Sequence, residues 1–175
     1  MTLTENIADR SSLHEESIQK REIRTLNLVY FEASGVKYAL PSEIVERVIP
    51  CKMVIPVPHS SEFLLGIVNE KMSVLTVLDV AYIISGMETP REKVRFLIRL
   101  LAPDPPLSLA SENEPQGMAR EVEDTLPAPE TEDMRVMDIL AEEGEGRVYI
   151  HPRHILEYPG LNDVRELDRT LPGAR

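Results

Sequence analysis

A mainly β fold built from small barrels is predicted by three features of this 175-residue chain. Short apolar runs, several of them alternating, are punctuated by Gly, Pro, Ser and Asn between Leu26 and Ile150, which is strand-and-turn patterning. Apolar residues make up 42% of the chain, enough for a globular interior, but aromatics are 5% and Trp is absent, so Val, Ile, Leu and Met must fill the core. The length suits one domain, or two small subdomains sharing a core.

Residues 1–24 are polar. "SLHE" at 12–15 has the form of a capping box, but Leu13, Ile18 and Ile23 are too few to bury a helix, and a flexible arm is expected. "LNLVYFEA" and "VKYAL" read as two strands turning at Ser34-Gly35. Pro41 starts a helical turn through "SEIVE", and "VERVI" runs to Pro50. "IPVP" at 55–58 belongs at an edge or crossover, because Pro56 and Pro58 donate no backbone hydrogen bond. Ser60 or Ser61 can cap a turn through Phe63 and Leu64 that ends at Gly66.

Next comes "SEFLLGIVNEKMSVLTVLDV" (61–80), the most apolar part of the chain. Its runs "FLLGIV" and "SVLTVL" are joined by the tetrad Asn69-Glu70-Lys71-Met72. "VAYIISG" reads as a short helix capped by Asp79 and stopped by Gly86. "KVRFLIRLL" (93–101) is a strand with Val94, Phe96, Ile98 and Leu100 on one face and Arg95 and Arg99 on a mixed one. The segment 103–134 is acidic and Pro-rich and reads as a loop, with "LSLA" its only strand-like run. "RVMDILAEEGEGRVYI" suggests a hairpin turning at Glu142 to Gly146, and "PRHILEY" and "NDVRELDRTL" suggest short terminal helices. The expected organisation is an arm over 1–24, a folded unit over 25–158 and a tail over 159–175.

Charge narrows the function. The net charge is −11. Thirteen acidic and two basic residues fall between Asp104 and Glu145, leaving seventeen of each elsewhere, so the acidity belongs to one segment. A basic footprint for nucleic acid is missing. The lone Cys51 builds no disulfide framework and suits a reducing compartment. No run approaches the ~18 apolar residues that span a bilayer, and the opening "MTLTENIADRSS" lacks a signal-peptide core. A cytoplasmic, soluble protein without membrane insertion is expected.

Candidate chemistry is weak throughout. His151, His154 and Glu157 have the spacing of a two-His, one-carboxylate metal site, but Pro152 puts His151 outside the helix, and a solvated helix end is the simpler reading. Lys52 beside Cys51 is not accompanied by a His, so an inert thiol is expected. "GEG" at 144–146 lies among acids and would repel phosphate. Asp79 is explained by capping. With no nucleophile–base pair, the sequence is not that of an enzyme, and no metal or cofactor is expected. A small-molecule-binding barrel would need convergent polar groups that the sequence does not display.

From Tyr38 to Val80 the chain resembles the chemotaxis coupling protein family, whose domains are called CheW-like. The residues that carry the resemblance are "KYAL", "EIVERVI", "VIPVP" and "FLLGIVNEKMSVLTVLDV", with Phe63, Gly66, Asn69 and Asp79 at pattern positions. "KVRFLIRLL", "LPAPE" (126–130) and "EGEGRVYIHPRHIL" agree more loosely and extend the match to roughly Leu26–Glu157. "LSLASE" (107–112) falls where the family has an apolar strand. Four positions depart from the pattern. Lys71-Met72 replaces an Arg-Gly pair, Arg47 stands where an acid is common, and Thr76 replaces a frequent Pro. The sequence is thus that of a diverged member.

The resemblance implies two five-stranded, SH3-like β-barrel subdomains and no cofactor. It also implies an adaptor linking the cytoplasmic helical hairpin of chemoreceptors to the regulatory domain of a CheA-type histidine kinase. A scaffold of another signalling or motility system is the variant reading. Family partner contacts map to Val45, Arg47, Gly66 and Lys71.

Overall fold

The computed structural model describes residues 22–101, 103–124 and 146–162. Within them the chain is mainly β, arranged as two sheets with a few short helices. Strand β1 (Glu22–Ala33) turns into β2 (Val36–Pro41) through Ser34 and Gly35, whose φ angles of 52° and 72° are both left-handed. Two positive φ values in a two-residue hairpin match the right-handed twist of the strands. β1 also pairs antiparallel with β8 (Gln116–Asp124), and β2 pairs parallel with β9 (Val148–Tyr149). The order of this four-stranded sheet is β8-β1-β2-β9.

The second sheet has five strands in the order β3-β6-β7-β5-β4. They are β3 (Val45–Pro50), β4 (Leu64–Glu70), β5 (Ser73–Leu78), β6 (Phe96–Leu100) and β7 (Leu107–Ser111). Helix α1 (Val80–Ser85) follows β5, and α2 (Pro152–Leu156) follows β9. Asp79 caps α1 and is fully buried. Its Oδ1 accepts from Ala81 N, Tyr82 N and Thr89 Oγ1, and its Oδ2 from Thr89 N at 2.6 Å, which satisfies the carboxylate. Gly86 ends α1 in the left-handed conformation.

Three apolar clusters result. The largest joins both sheets and both helices, through Phe31, Tyr38, Leu40, Phe63, Leu78, Ile98, Leu109 and Ile155. A second lies on the other face of the five-stranded sheet, formed by Cys51, Val54, Leu65, Leu75, Val77, Val94, Leu97 and Ala110. The third is small: Leu28, Tyr30 and Ala39, with Met118 and Tyr149 against them.

Several expectations are corrected. Among the described residues neither sheet closes on itself by backbone pairing, so the two five-stranded barrels become one sheet of four strands and one of five. The expected loop 103–134 contains two strands. β7 is buried along its whole length at the centre of its sheet, where neighbours on both sides supply the pairing that its flank "SENEP" lacks. β8 is mostly polar and survives because a nine-residue ladder with β1 holds it. β1 is already in place at Glu22, ahead of the expected start at 25. At the other end Leu161 is buried in the main cluster, so the packed unit runs past 158. The turn at Glu142, "LPAPE" and most of the arm and tail lie outside the described residues.

Candidate functional site

The tetrad closes the β4–β5 hairpin. Glu70 pairs with Ser73, leaving Lys71 and Met72 as a two-residue turn. Lys71 takes φ 53° and Met72 does not have positive φ. The position that lost a family Gly therefore makes no demand for left-handed backbone, and the demand falls on Lys71 instead. Met72 is fully exposed, and Val74, two residues on, is half-exposed opposite Asn69. Exposed Lys71 has no ion-pair or hydrogen-bond partner among the described residues.

Gly66 is buried, and the reason is local. Leu64 faces Leu78 and Gly66 faces Val77, so β4 carries one extra residue, Leu65. This bulge turns the Leu65 carbonyl out of the ladder, where Arg91 Nε donates to it at 2.6 Å. Gly66 then adopts φ 149°, and a Cβ there would lie 2.1 Å from the Ile55 carbonyl oxygen. Without it, Ile55 and Ile67 exchange backbone hydrogen bonds at 2.8 and 2.9 Å. The "IPVP" passage is thereby fixed along the outer edge of β4, as the prolines require.

Val45 and Arg47 sit on β3, across from Leu100 and Arg99 of β6. Val45 is half-buried against the main cluster. Arg47 Nη2 donates to both carboxylate oxygens of Glu70, at 2.8 and 2.9 Å. Glu70 also accepts from Arg99 Nη1 at 3.1 Å, and Arg99 Nε pairs with Glu46 at 2.8 Å. The four form a chain, Arg47–Glu70–Arg99–Glu46, over the second cluster. The structure thus brings Arg47 to the tetrad, with Lys71 beside Glu70, and places Val45 at the same end of β3. Gly66 lies farther along β4, beneath Ile55. Glu46, Glu70 and Arg99 were missed as a group; the signal was charge on otherwise apolar strands, in "VERVI" and "FLIRL".

Among the described residues the geometry elsewhere offers no reaction centre. His151 Nδ1 accepts from Arg153 N and caps α2, and its ring lies 6.0 Å from that of His154. Among the described residues no group of three His, Cys, Asp or Glu could hold a metal. Burial pushes the Cys51 thiol above its ordinary range, partly offset by a backbone hydrogen bond at Met53, which makes it less nucleophilic. A groove of about 460 Å³ lies among Ser60, Glu62, Asp79, Thr89 and Arg91. Three of its charged groups are already engaged: Asp79 with α1 and Thr89, Arg91 with Leu65, and Glu62 with the Tyr82 hydroxyl.

Residues 27–110 match the family model of the CheW-like domain. That segment is a CheW-like domain. Among solved structures it is similar to the scaffolding protein TtCheW from Thermoanaerobacter tengcongensis. That match has 18% identity and a TM-score of 0.45, covering 61% of this chain and 70% of that one. No curated protein matches the sequence. Among the described residues no helix is long and apolar enough to cross a membrane.

Proposed function

We propose that this protein is a non-catalytic adaptor coupling the cytoplasmic hairpin of a chemoreceptor to the regulatory domain of a CheA-type histidine kinase. The observation that carries the reading is the β4–β5 hairpin of a CheW-like domain. It presents Lys71, unpaired among the described residues, fully exposed Met72 and exposed Val74, with Arg47 close by. An apolar tip with a charged rim suits a protein contact better than a small ligand. Val45, Arg47 and Lys71 are the proposed contact residues. Gly66 acts through Ile55, since its own surface is covered. The curl of the five-stranded sheet, whose outer strands meet at Arg47 and Glu70, supports an SH3-like half, and a cytoplasmic location follows from such partners. No cofactor has a part in this function. The same surface would serve a CheW-like scaffold of another signalling or motility system.

The test is recovery of a CheA-type kinase regulatory domain and a receptor cytoplasmic fragment by the full chain, compared with Lys71→Glu. Placing like charges together at an interface can cost several kcal/mol, so the folded variant should recover at least one partner poorly. Equal recovery by both proteins would remove the hairpin from the binding surface.

A further inference from the structure

β3 and β4 are the outer strands of the five-stranded sheet, yet they face each other. Along this seam the chain crosses at one end: β3 leads through Cys51 and Val54 to Ile55, which bridges to Ile67. At the other end Arg47 and Glu70 meet. Between these ends Ile49 of β3 and Val68 of β4 cover the second cluster and are only half-buried. Among the described residues no backbone ladder joins β3 to β4. Every other junction in this sheet is an array of hydrogen bonds, so opening the seam disrupts far less than separating any other pair of strands.

Charges span the end of the seam opposite the Ile55 bridge. Glu70 is held by two arginines and its side chain is 14% exposed, while Arg99 is 19% exposed and also held by Glu46. Charge pairs this shielded are screened less than surface pairs. We infer that the Arg47–Glu70–Arg99–Glu46 chain is a latch on this seam, and that releasing it opens β3 from β4 locally while the rest of the sheet stays folded. The opened state bares the second cluster and frees the Arg47 guanidinium. This inference needs no partner and stands apart from the adaptor reading.

Cys51 reports the opening. It lies in the second cluster at the end of β3, is 8% exposed and is the chain's one cysteine. Its labelling by N-ethylmaleimide should be measured on the full chain at several urea concentrations below the unfolding transition. Labelling through a local opening changes little with urea, whereas labelling through global unfolding rises steeply with it. Glu70→Gln should label about tenfold faster than the unaltered protein with a shallow urea dependence, as expected for losing roughly one strong charge contact. Adding Arg47→Met to Glu70→Gln should give little further acceleration, because the two share one contact. If Glu70→Gln fails to fold, Arg47→Met alone, whose side chain is 43% exposed, carries the same test with a smaller acceleration. A labelling rate unchanged by the folded variant, or one that tracks the full urea dependence of unfolding in every protein, would overturn the latch.

Discussion

Arg47 and Glu70 lie on opposite outer strands of one sheet and are joined at 2.8 Å, where the backbone makes no ladder. Glu70 is the hub of the network, since it holds Arg47 and Arg99 together. Unequal costs follow. Arg47→Ala removes one half-exposed end and should lower stability by about 1 kcal/mol or less. Glu70→Ala leaves Arg47 without an acid and the largely covered Arg99 with Glu46 alone, and should cost about 2–3 kcal/mol. Urea denaturation of the two variants checks the order, and equal losses would mean that the network is no more than a set of independent surface pairs.

Gly66 offers a sharper test of packing. Any side chain there meets the Ile55 carbonyl and must hold φ 149°, so clash and strain act together. Gly66→Ala should destabilise the protein by roughly 3 kcal/mol. Gly35 has nothing within 4 Å of a built Cβ, and Gly35→Ala should lose only the turn preference, about 1 kcal/mol. Thermal unfolding of both variants distinguishes a glycine required by close approach from one required by φ alone.

These two positions also show what the sequence could and could not disclose. Ser34-Gly35, the Asp79 cap and the Gly86 stop are local devices, and their residue types announce them within a few positions. The edge placement of "IPVP" was legible because Pro lacks a donor. β8 was not: its residues are mostly polar, and what makes it a strand is the distant β1 ladder. The ion-pair chain was hidden for the same reason, since residues 23 apart meet only after the sheet curls. Arg47 and Lys71 became candidates through the family pattern, whereas Glu70 joins Arg47 only through tertiary geometry.

Alkaline pH should expose the cost of two buried acids. Desolvation raises the Tyr38 phenol above its ordinary 10.0, the nearby Asp79 carboxylate raises it further, and the Ser85 hydroxyl partly offsets both. Desolvation likewise raises the Cys51 thiol above 9.0. Both groups hold their protons more tightly in the folded protein than in the unfolded chain. The contribution of these two groups is therefore undiminished below pH 9, and it falls as pH rises through the unfolded values of 9.0 and 10.0 towards the folded ones. Cys51→Ser and Tyr38→Phe should each flatten part of the alkaline decline in urea midpoint, once their effects at neutral pH are subtracted. A decline of identical shape in both variants would place its origin elsewhere.

Lys71 combines an exposed charge with a backbone angle that disfavours it, and substitutions can separate the two. Lys71→Gly removes the Cβ penalty of a left-handed residue, which is about 1 kcal/mol, and the greater freedom of the unfolded chain returns part of that gain. The variant should thus be as stable as the original or slightly more so, while lacking the ammonium. Lys71→Glu keeps the strain and reverses the charge, and should leave the melting temperature nearly unchanged, as surface changes usually do within about 0.5 kcal/mol. Lys71→Arg keeps the charge and restores the planar donor fork at this position. If the ammonium contacts a partner, recovery should rank Arg at or above Lys, Gly below both and Glu lowest, with no parallel trend in stability. If the turn's shape is what the partner reads, Gly should bind as well as Lys. A ranking that follows melting temperature would instead make Lys71 a folding residue, and the contact surface would then have to be sought along β3 around Val45 and Arg47.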